Sequence, residues 1–350
     1  MAHTDRDVFD KAGQYNLEQL TILSYVHDSE EGLPVSIDIK GVMLNFEIAE
    51  DVFSNNIVGS VIVYDMQDIR TILPITGLER LALKFNSPGT PGYDFSEENG
   101  IPLQIYKVDK VKIDPQQEKA QFYQIFFCSP EMYNNKITRI SKAYAGPVEN
   151  GINDIIRNYL KSEKPFYFEP TATNPKIVIP NLNPYEAIRL LAKSAVPSKF
   201  PENAGYVFYE TSQGFYFRSF ASMMAVGGLG ARTNQLAGFR NHNLSLLVYG
   251  NTLLNAGDII TFTTPVLRPG EDGDDNINPY TSGRYVIMAM KHTVNTEAQR
   301  HEMVLKCYKD SVRSAYPTEE EALSNIGKAD IKDYDIYEEQ LKEFGGGVDF

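Results

Sequence analysis

The stretch LPVSIDIKGVMLNFEIA, residues 33–49, decides the fold class because apolar and polar residues alternate within it. Two apolar sets follow this alternation, one on each side of Gly41: Val35, Ile37 and Ile39, then Leu44, Phe46 and Ile48. A period of two residues is typical of half-buried β-strands, whose successive side chains point to opposite faces. The stretch therefore predicts two adjacent strands, each with one face in a core.

The same alternation continues towards residue 128. It recurs in NIVGSVIVYDM (56–66), in IPLQIYKVDKVKID (101–114) and in EKAQFYQIFFCS (118–129). The last two runs are separated by turn residues and read as a strand pair. Residues 17–128 are therefore predicted to form an antiparallel β unit, either a barrel or a sandwich.

Helical periodicity appears next. In VENGINDIIRNYLKSE, residues 148–163, the apolar residues recur at helical spacing. In NPYEAIRLLAKSA, Asn183 is a candidate N-cap, Pro184 suits the first helical position and Glu186 suits the first turn. These features predict two helices.

A β-hairpin is predicted directly after the second helix. Two alternating aromatic runs flank TSQG, residues 211–214, in which Gly214 can take a positive φ. Residues 129–220 are therefore predicted to be a mixed α/β insertion.

The C-terminal part divides into three segments. Residues 221–237 are small and Gly-rich and read as a flexible crossing. Strand patterns such as LSLLVYG, RYVIMAMKHTV and HEMVLKCYKDSV then predict a second β unit over residues 238–313. Residues 314–350 form an acidic tail. The fold class is therefore mainly β, with two β units on either side of an α/β insertion.

Charge and composition exclude several classes of protein. The net charge is −13, so a positively charged nucleic-acid surface is not expected. No apolar run is long enough for a signal peptide or a membrane span. The two cysteines, Cys128 and Cys307, lie in apolar runs and are expected to be buried, reduced core residues of a cytosolic protein.

The acidic stretch EDGDD, residues 271–275, is a candidate calcium loop that fails the test of spacing. An EF-hand needs Gly at the sixth position and Glu at the twelfth. Starting at Asp272, those positions hold Ile277 and Gly283, and starting at Asp274 they hold Pro279 and Tyr285. The stretch is better explained as a hydrated turn before a strand.

No other motif predicts chemistry. GGLGAR around Gly228 and Gly230 lacks the third glycine and the βαβ setting of a dinucleotide site. His301-Glu302 has no second histidine at zinc-helix spacing, and His292 reads as a packed or surface residue. The sequence predicts no catalytic, cofactor-binding or metal-binding residue.

A candidate docking segment lies in the tail. Tyr337, Leu341 and Phe344 share one face of a predicted helix within a segment that holds ten of the 46 acidic residues. An apolar stripe in an acidic segment predicts a helix that orders on a partner. Packing of the same helix on the chain's own β unit is the alternative.

The order of several segments resembles the baseplate central hub proteins of contractile-tailed, T-even-like phages. Residues 183–220 resemble the hub's helix, loop and aromatic hairpin, and residues 41–69 resemble its first barrel. Residues 249–265, with a Gly-Asp turn before a strand, and the strand pair 282–312 resemble its second barrel. The crossing is shorter here than the excursion usual in such hubs.

The resemblance implies a non-enzymatic homotrimer. Each chain would supply two tube-type antiparallel β-barrels, so that the ring joins a threefold central spike to the sixfold tail tube or tube-initiator proteins. The tape measure protein would be a further partner, and DNA would pass through the channel without specific binding. The location implied is the virion baseplate, assembled in the host cytoplasm.

Two alternatives remain open from the sequence. One is the hub of a related machine, such as a pyocin or a type VI-like system, although no spike repeat follows in the chain. The other is a cell-wall hydrolase on a β scaffold, for which no acid–base constellation is visible.

Overall fold

The computed structural model describes residues 11–27, 34–73, 75–113, 120–199, 201, 205–225, 242–265, 277–278 and 280–309. The chain divides into two compact units, residues 1–262 with 284–311, and residues 263–283 with 312–350. In the second unit, the Thr264 N–H donates to the Ser282 hydroxyl at 2.9 Å. None of the helices in the described ranges is long and apolar enough to cross a membrane.

The described residues are mainly β, with few and short helices, as the sequence predicts. The strands are β1 (Asn16–His27), β2 (Pro34–Asp38), β3 (Met43–Asp51), β4 (Val58–Asp65), β5 (Arg80–Asn86), β6 (Tyr93–Phe95), β7 (Leu103–Ile113), β8 (Gln121–Cys128), β9 (Ile140–Ala145), β10 (Phe166–Phe168), β11 (Lys176–Leu182), β12 (Tyr206–Thr211), β13 (Gly214–Ser219), β14 (His242–Tyr249), β15 (Ile259–Phe262), β16 (Gly283–Asn295) and β17 (Arg300–Lys309). The helices are α1 (Ile69–Ile72), α2 (Pro130–Ile137), α3 (Val148–Asp154), α4 (Pro184–Ala192) and α5 (Phe220–Ala225), with a 3-10 turn at Lys40–Val42 and a π-helical turn at Ile155–Tyr159.

One twelve-stranded sheet contains strands from both predicted β units. Its order is β14-β17-β16-β3-β4-β8-β7-β5-β1-β2, with β15 beside β16 and β6 beside β5. Neighbours along this order are antiparallel. Strand β16 pairs with β17 on one side and with β3 on the other, where Val294 lies opposite Phe46.

The two β units nevertheless have separate hydrophobic cores, and a third cluster, which contains Met288 and Tyr209, packs the sheet against the hairpin β12–β13. The first core contains Phe46, Phe127 and many other buried residues of β1 to β8, whereas the second contains Met303, Leu305 and Cys307. Strand β16 serves both, since Ile287 and Met290 lie in the second core and Val294 in the first. A register shift between Ile287 and Ala289 lies between the two β16 residues of the second core, Ile287 and Met290.

The predicted pair of separate barrels differs from what the described strands form. Their order is an open path with β14 at one end and β2 at the other. The physical reason is the β16–β3 pairing, which makes the second β unit an extension of the first. Closure into barrels stays a prediction.

The insertion has its own core and confirms the local predictions. Asn183 and Glu186 form a capping box at the start of α4, where Pro184 occupies the first turn. The buried Ile188 and Leu191 join one core with the aromatic residues of the hairpin β12–β13. The core aromatic residues of that hairpin are Tyr206, Phe208, Phe215 and Phe217.

Two predicted turn positions are confirmed by the backbone. Gly214 has a φ of 138°, and a Cβ atom there would lie 2.4 Å from the Pro165 carbonyl oxygen. Gly257 of the Gly-Asp turn has a φ of 94° and precedes β15. Only glycine fits both positions without strain.

Candidate functional site

Several predicted features lie outside the described residues and remain predictions: Tyr337, Leu341 and Phe344 of the tail, the acidic stretch 271–275, and Gly228 and Gly230 of the crossing. The structure instead contains a group of buried ionisable side chains that the sequence did not predict to be a site.

A seam of buried ionisable residues joins the twelve-stranded sheet to the insertion. We call it the carboxylate seam. Its members are Glu50 of β3, Tyr93 of β6, Glu131 of α2, Glu210 of β12, and Lys164, which lies just before β10. Each of these residues is at most 5% exposed. Ionisable groups are rarely buried to this degree unless they are paired or hydrogen-bonded.

Lys164 forms ion pairs with both carboxylates in one half of the seam. Its ammonium lies 2.5 Å from Glu210 Oε1 and 2.8 Å from Glu131 Oε2. The Ile57 N–H donates to Glu210 Oε2 at 3.1 Å, and the Ser162 hydroxyl donates to Glu131 Oε1 at 2.5 Å. Lys164 thus joins α2 to the insertion hairpin, and Glu210 joins the hairpin to the loop before β4.

The pKa values of this half follow from burial and pairing. Burial alone would lower the pKa of Lys164, but Glu210 and Glu131 raise it above its usual value. Burial raises the pKa of Glu210, and Lys164 opposes that rise. Lys164 therefore remains an ammonium ion between two acidic groups.

Glu50 forms the other half of the seam and is 1% exposed. Its Oε1 accepts from the Tyr93 hydroxyl at 2.9 Å and from the Ser212 N–H at 2.7 Å. Its Oε2 accepts from the Ala256 N–H at 3.0 Å. Burial raises the pKa of Glu50 to about 7, although these hydrogen bonds act in the opposite direction.

Only part of the seam had a signal in the sequence. The alternation that places Phe46 and Ile48 in the core also places Glu50 and Val52 on that face, so the burial of Glu50 follows from the period of two. Glu131 and Lys164 come from a helix and a loop far apart in the chain, and no local pattern brings them together.

A pair of buried histidines lies on the two paired strands β16 and β17. His292 Nδ1 and His301 Nε2 are 2.8 Å apart, and both side chains are fully buried. Burial lowers the pKa of His292 to about 3 and that of His301 to about 4, so both rings are neutral at pH 7. His292 is therefore packed, which is one of the two predicted outcomes.

The described residues offer little for covalent or metal chemistry. They contain no group of three or more His, Cys, Asp or Glu side chains that could hold a metal ion. Cys128 and Cys307 are free and buried, as predicted. Burial raises their pKa values to about 12 and about 11, so neither is a thiolate at neutral pH.

The two ends of the longest strand path are open edges in the described part of the chain. Strand β14 pairs only with β17, and β2 pairs only with β1. On β14, Leu247 is 70% exposed and Tyr249 is 53% exposed, and Val35 of β2 is also exposed. Open edges with exposed apolar side chains are sites where another chain can add a strand.

Comparison with known proteins gives a similarity of fold. No family model matches the sequence, and no curated protein matches it. A prophage MuSo2 43 kDa tail protein from Shewanella oneidensis is similar with a TM-score of 0.50 at 9% identity, covering 83% of this chain and 98% of that one.

Two further solved structures are similar at lower TM-scores. A tail protein from Neisseria meningitidis has a TM-score of 0.49 at 8% identity, covering 85% of this chain and 98% of that one. A component of the type VI secretion system from E. coli has a TM-score of 0.41 at 13% identity, covering 79% and 75%. The fold of this chain is similar to that of the Shewanella protein, whose length is almost entirely matched.

Proposed function

We propose that the chain is a structural hub of a contractile-tail baseplate, in which three copies form a ring. The observation that carries this proposal is the presence of two β cores on one sheet. Three chains with two β units each present six related units, which is what an adaptor between a threefold spike and a sixfold tube requires. The fold of the Shewanella prophage tail protein and the hub-like order of segments support it.

The ring would close through the open sheet edges. In a head-to-tail contact, β14 of one copy pairs with β2 of the next copy. Both of these edge strands are then paired in every copy. Such a contact gives a ring when the rotation between copies closes, and it buries Leu247 and Val35, which are exposed in the single chain. Each β unit would then contribute a tube-type barrel wall.

The role is mechanical, and its partners follow from it. The central spike protein would bind one face of the ring, and the tail tube, a tube-initiator or the tape measure protein would bind the other. DNA would pass through the channel without specific binding. The baseplate of the virion is the proposed location, and the same architecture would serve a related injection machine.

The acidic tail is proposed to carry one of these contacts. Tyr337, Leu341 and Phe344 would form the apolar face of a helix that docks on the spike or tube. Its acidic surroundings would keep the segment in water until the partner is present.

Cysteine cross-linking tests the ring contact. Val35 and Leu247 are changed to cysteine together, and the oxidised protein is run on a denaturing gel without reductant. Head-to-tail pairing predicts bands of two and three chains in the double variant, and no band above two chains in either single variant, which is the matched control. An additional series with Ile37 in place of Val35 covers a shifted register.

Two outcomes count against the proposal. A double variant that stays at one chain in both registers contradicts pairing of these edges. A ladder of bands that continues beyond three chains indicates an open filament rather than a closed ring.

A further inference from the structure

A small apolar pocket lies where the sheet, helix α4 and the hairpin strand β12 meet. Its buried walls include Val52, which follows β3, Ile188 of α4 and Phe208 of β12. Phe53, which is 43% exposed, and Ala192 at the end of α4 also line it. The pocket therefore has apolar walls and reaches the surface at the joint between the insertion and the sheet. We call it the anchor pocket.

The walls of the anchor pocket are fixed by hydrogen bonds between distant segments. The Asn55 side chain donates to the Phe208 carbonyl oxygen at 2.7 Å, which attaches the turn after β3 to β12. The Tyr185 hydroxyl donates to the Asn56 side-chain oxygen, which attaches the same turn to α4. Because the walls are already held in place, little ordering is needed when a ligand binds.

The volume of the anchor pocket limits what it can hold. The pocket measures about 220 Å³. A cavity of about 150 Å³ accommodates one benzene ring, whereas sites for small-molecule ligands usually span about 300–1,000 Å³. The anchor pocket is therefore large enough for one aromatic side chain and too small for a cofactor.

The charge at the anchor pocket is positive. Of the residues that line it in the described part of the chain, Arg189 is the one with a charge, and it is exposed. Lys193 follows four positions later along the helix and is also exposed. The ion pairs that the described residues of the insertion form include neither of these two cations. Such a pocket is complementary to an apolar side chain that has a carboxylate beside it.

Two carboxylates close to the pocket in the sequence bind backbone groups of their own turns. Asp51 accepts from the Phe53 N–H at 2.7 Å. Glu186 accepts from the Asn183 N–H at 3.1 Å as part of the capping box of α4. Arg189 is therefore available to a carboxylate from outside the chain.

We propose that the anchor pocket binds an acidic segment of a partner protein. One aromatic side chain of that segment enters the pocket, and a carboxylate beside it pairs with Arg189. Burial of the ring supplies most of the binding energy, since a few anchors in desolvated pockets dominate most interfaces. The cations add specificity for acidic segments. The site lies within one chain, so it goes beyond the proposed ring and does not depend on it.

Fluorescence anisotropy with a labelled, capped peptide and the full chain measures this binding. The peptide has one central phenylalanine between two pairs of aspartates, and it should bind saturably. The same peptide with alanine at the centre should bind about 30-fold more weakly, as expected for loss of an anchor. A peptide with lysines in place of the aspartates should not bind. Added salt should weaken binding of the phenylalanine peptide, because the Arg189 contact lies at the surface.

Filling the pocket tests whether it is the binding site. Ala192→Leu adds a larger side chain at a partly exposed position of the wall and should abolish binding of the phenylalanine peptide. A melting curve checks that the variant is folded. Ala143→Leu is the matched control, because Ala143 is exposed on β9 and does not line the pocket. This control should bind the peptide as the wild type does.

Removing the cation tests the preference for acidic segments. Arg189→Gln should lower the affinity by up to about fivefold, the range for an exposed ion pair, and should reduce the dependence on salt. Arg189→Lys keeps the charge and should keep most of the affinity. Lys176→Gln removes an exposed charge from β11 and is the control, which should change neither quantity.

Several results would overturn the proposal. These are the absence of saturable binding, equal affinity for the phenylalanine and alanine peptides, and wild-type affinity in a folded Ala192→Leu variant. Wild-type affinity and salt dependence in Arg189→Gln would overturn the choice of an acidic segment. If Ala192→Leu does not fold, the comparison of the two peptides still decides.

Two other occupants of the pocket give different results, and either one overturns the assignment to a partner protein. If a chain without residues 316–350 binds the peptide much more tightly than the full chain, the chain's own tail fills the pocket. If the molar mass of the protein falls when the peptide is added, a second copy of the chain fills it.

Discussion

Glu210 and Glu50 lie on the same seam and are both buried, but the groups that bind their carboxylates differ in charge. Glu210 faces Lys164 at 2.5 Å, whereas Glu50 accepts hydrogen bonds from Tyr93, Ser212 and Ala256. The first contact is an ion pair, and the second is a set of hydrogen bonds from neutral donors. The comparison teaches that burial alone does not define the role of a carboxylate, because the partner decides whether its contact is an ion pair or a set of hydrogen bonds.

The largest expected effect comes from breaking the compensated half. Lys164→Met leaves Glu131 and Glu210 buried without their cation, and the loss in free energy of unfolding should be about 3–5 kcal/mol at pH 7. Denaturant unfolding measures it. Lys142→Met is the control, because the Lys142–Asp154 pair is partly exposed and should contribute less than about 1 kcal/mol. Equal losses in both variants would contradict the comparison.

The next effect separates packing within the insertion from its attachment to the sheet. Ile188 is 1% exposed in the insertion core, and Ile188→Ala should lower the free energy of unfolding by about 2–5 kcal/mol without changing its pH dependence. Ile137→Ala on α2, where the side chain is 65% exposed, should change it by less than about 0.5 kcal/mol. A loss below about 0.5 kcal/mol at Ile188 would show that this face is not packed.

Deletion of the acidic tail tests whether the tail contributes to the oligomer, to stability or to partner binding. Deletion of residues 316–350 should leave the oligomer and the melting temperature of the isolated protein unchanged, while binding to spike or tube becomes weaker. Pull-down with the purified partner measures binding, and the triple variant with Tyr337, Leu341 and Phe344 changed to Ser should reproduce the deletion. If the deletion unfolds the isolated protein, the tail packs on its own chain instead.

The smallest effect is expected at the acidic stretch 271–275. Exchange of Asp272, Asp274 and Asp275 for Asn should shift the melting temperature by only a few degrees, because a hydrated turn contributes little to stability. Millimolar calcium should give no stabilisation. A calcium-dependent rise that the exchanges abolish would make this stretch a metal site.

Local features of the fold could be predicted from the sequence. The capping box at Asn183, the hairpin turn at Gly214 and the strand pair β16–β17 depend on residues close in the chain, so periodicity and turn chemistry identify them. The period of two in β3 also fixed which face of that strand is buried, including the position of Glu50.

Non-local features could not be predicted. The pairing of β16 with β3 joins residues about 240 positions apart, and no local sequence feature of either strand identifies the strand that it pairs with. The short strands β9, β10 and β11 were missed because most of their side chains are exposed or only partly buried, which removes the alternation. The Lys164 site needs three distant segments to meet.

The ring is the central claim, and molar mass in solution tests it most directly. Light scattering on the purified protein should give three times the chain mass of 39.4 kDa, and electron-microscopy class averages of the same sample should show threefold rings with a central channel. A mass of one or two chains would contradict the account.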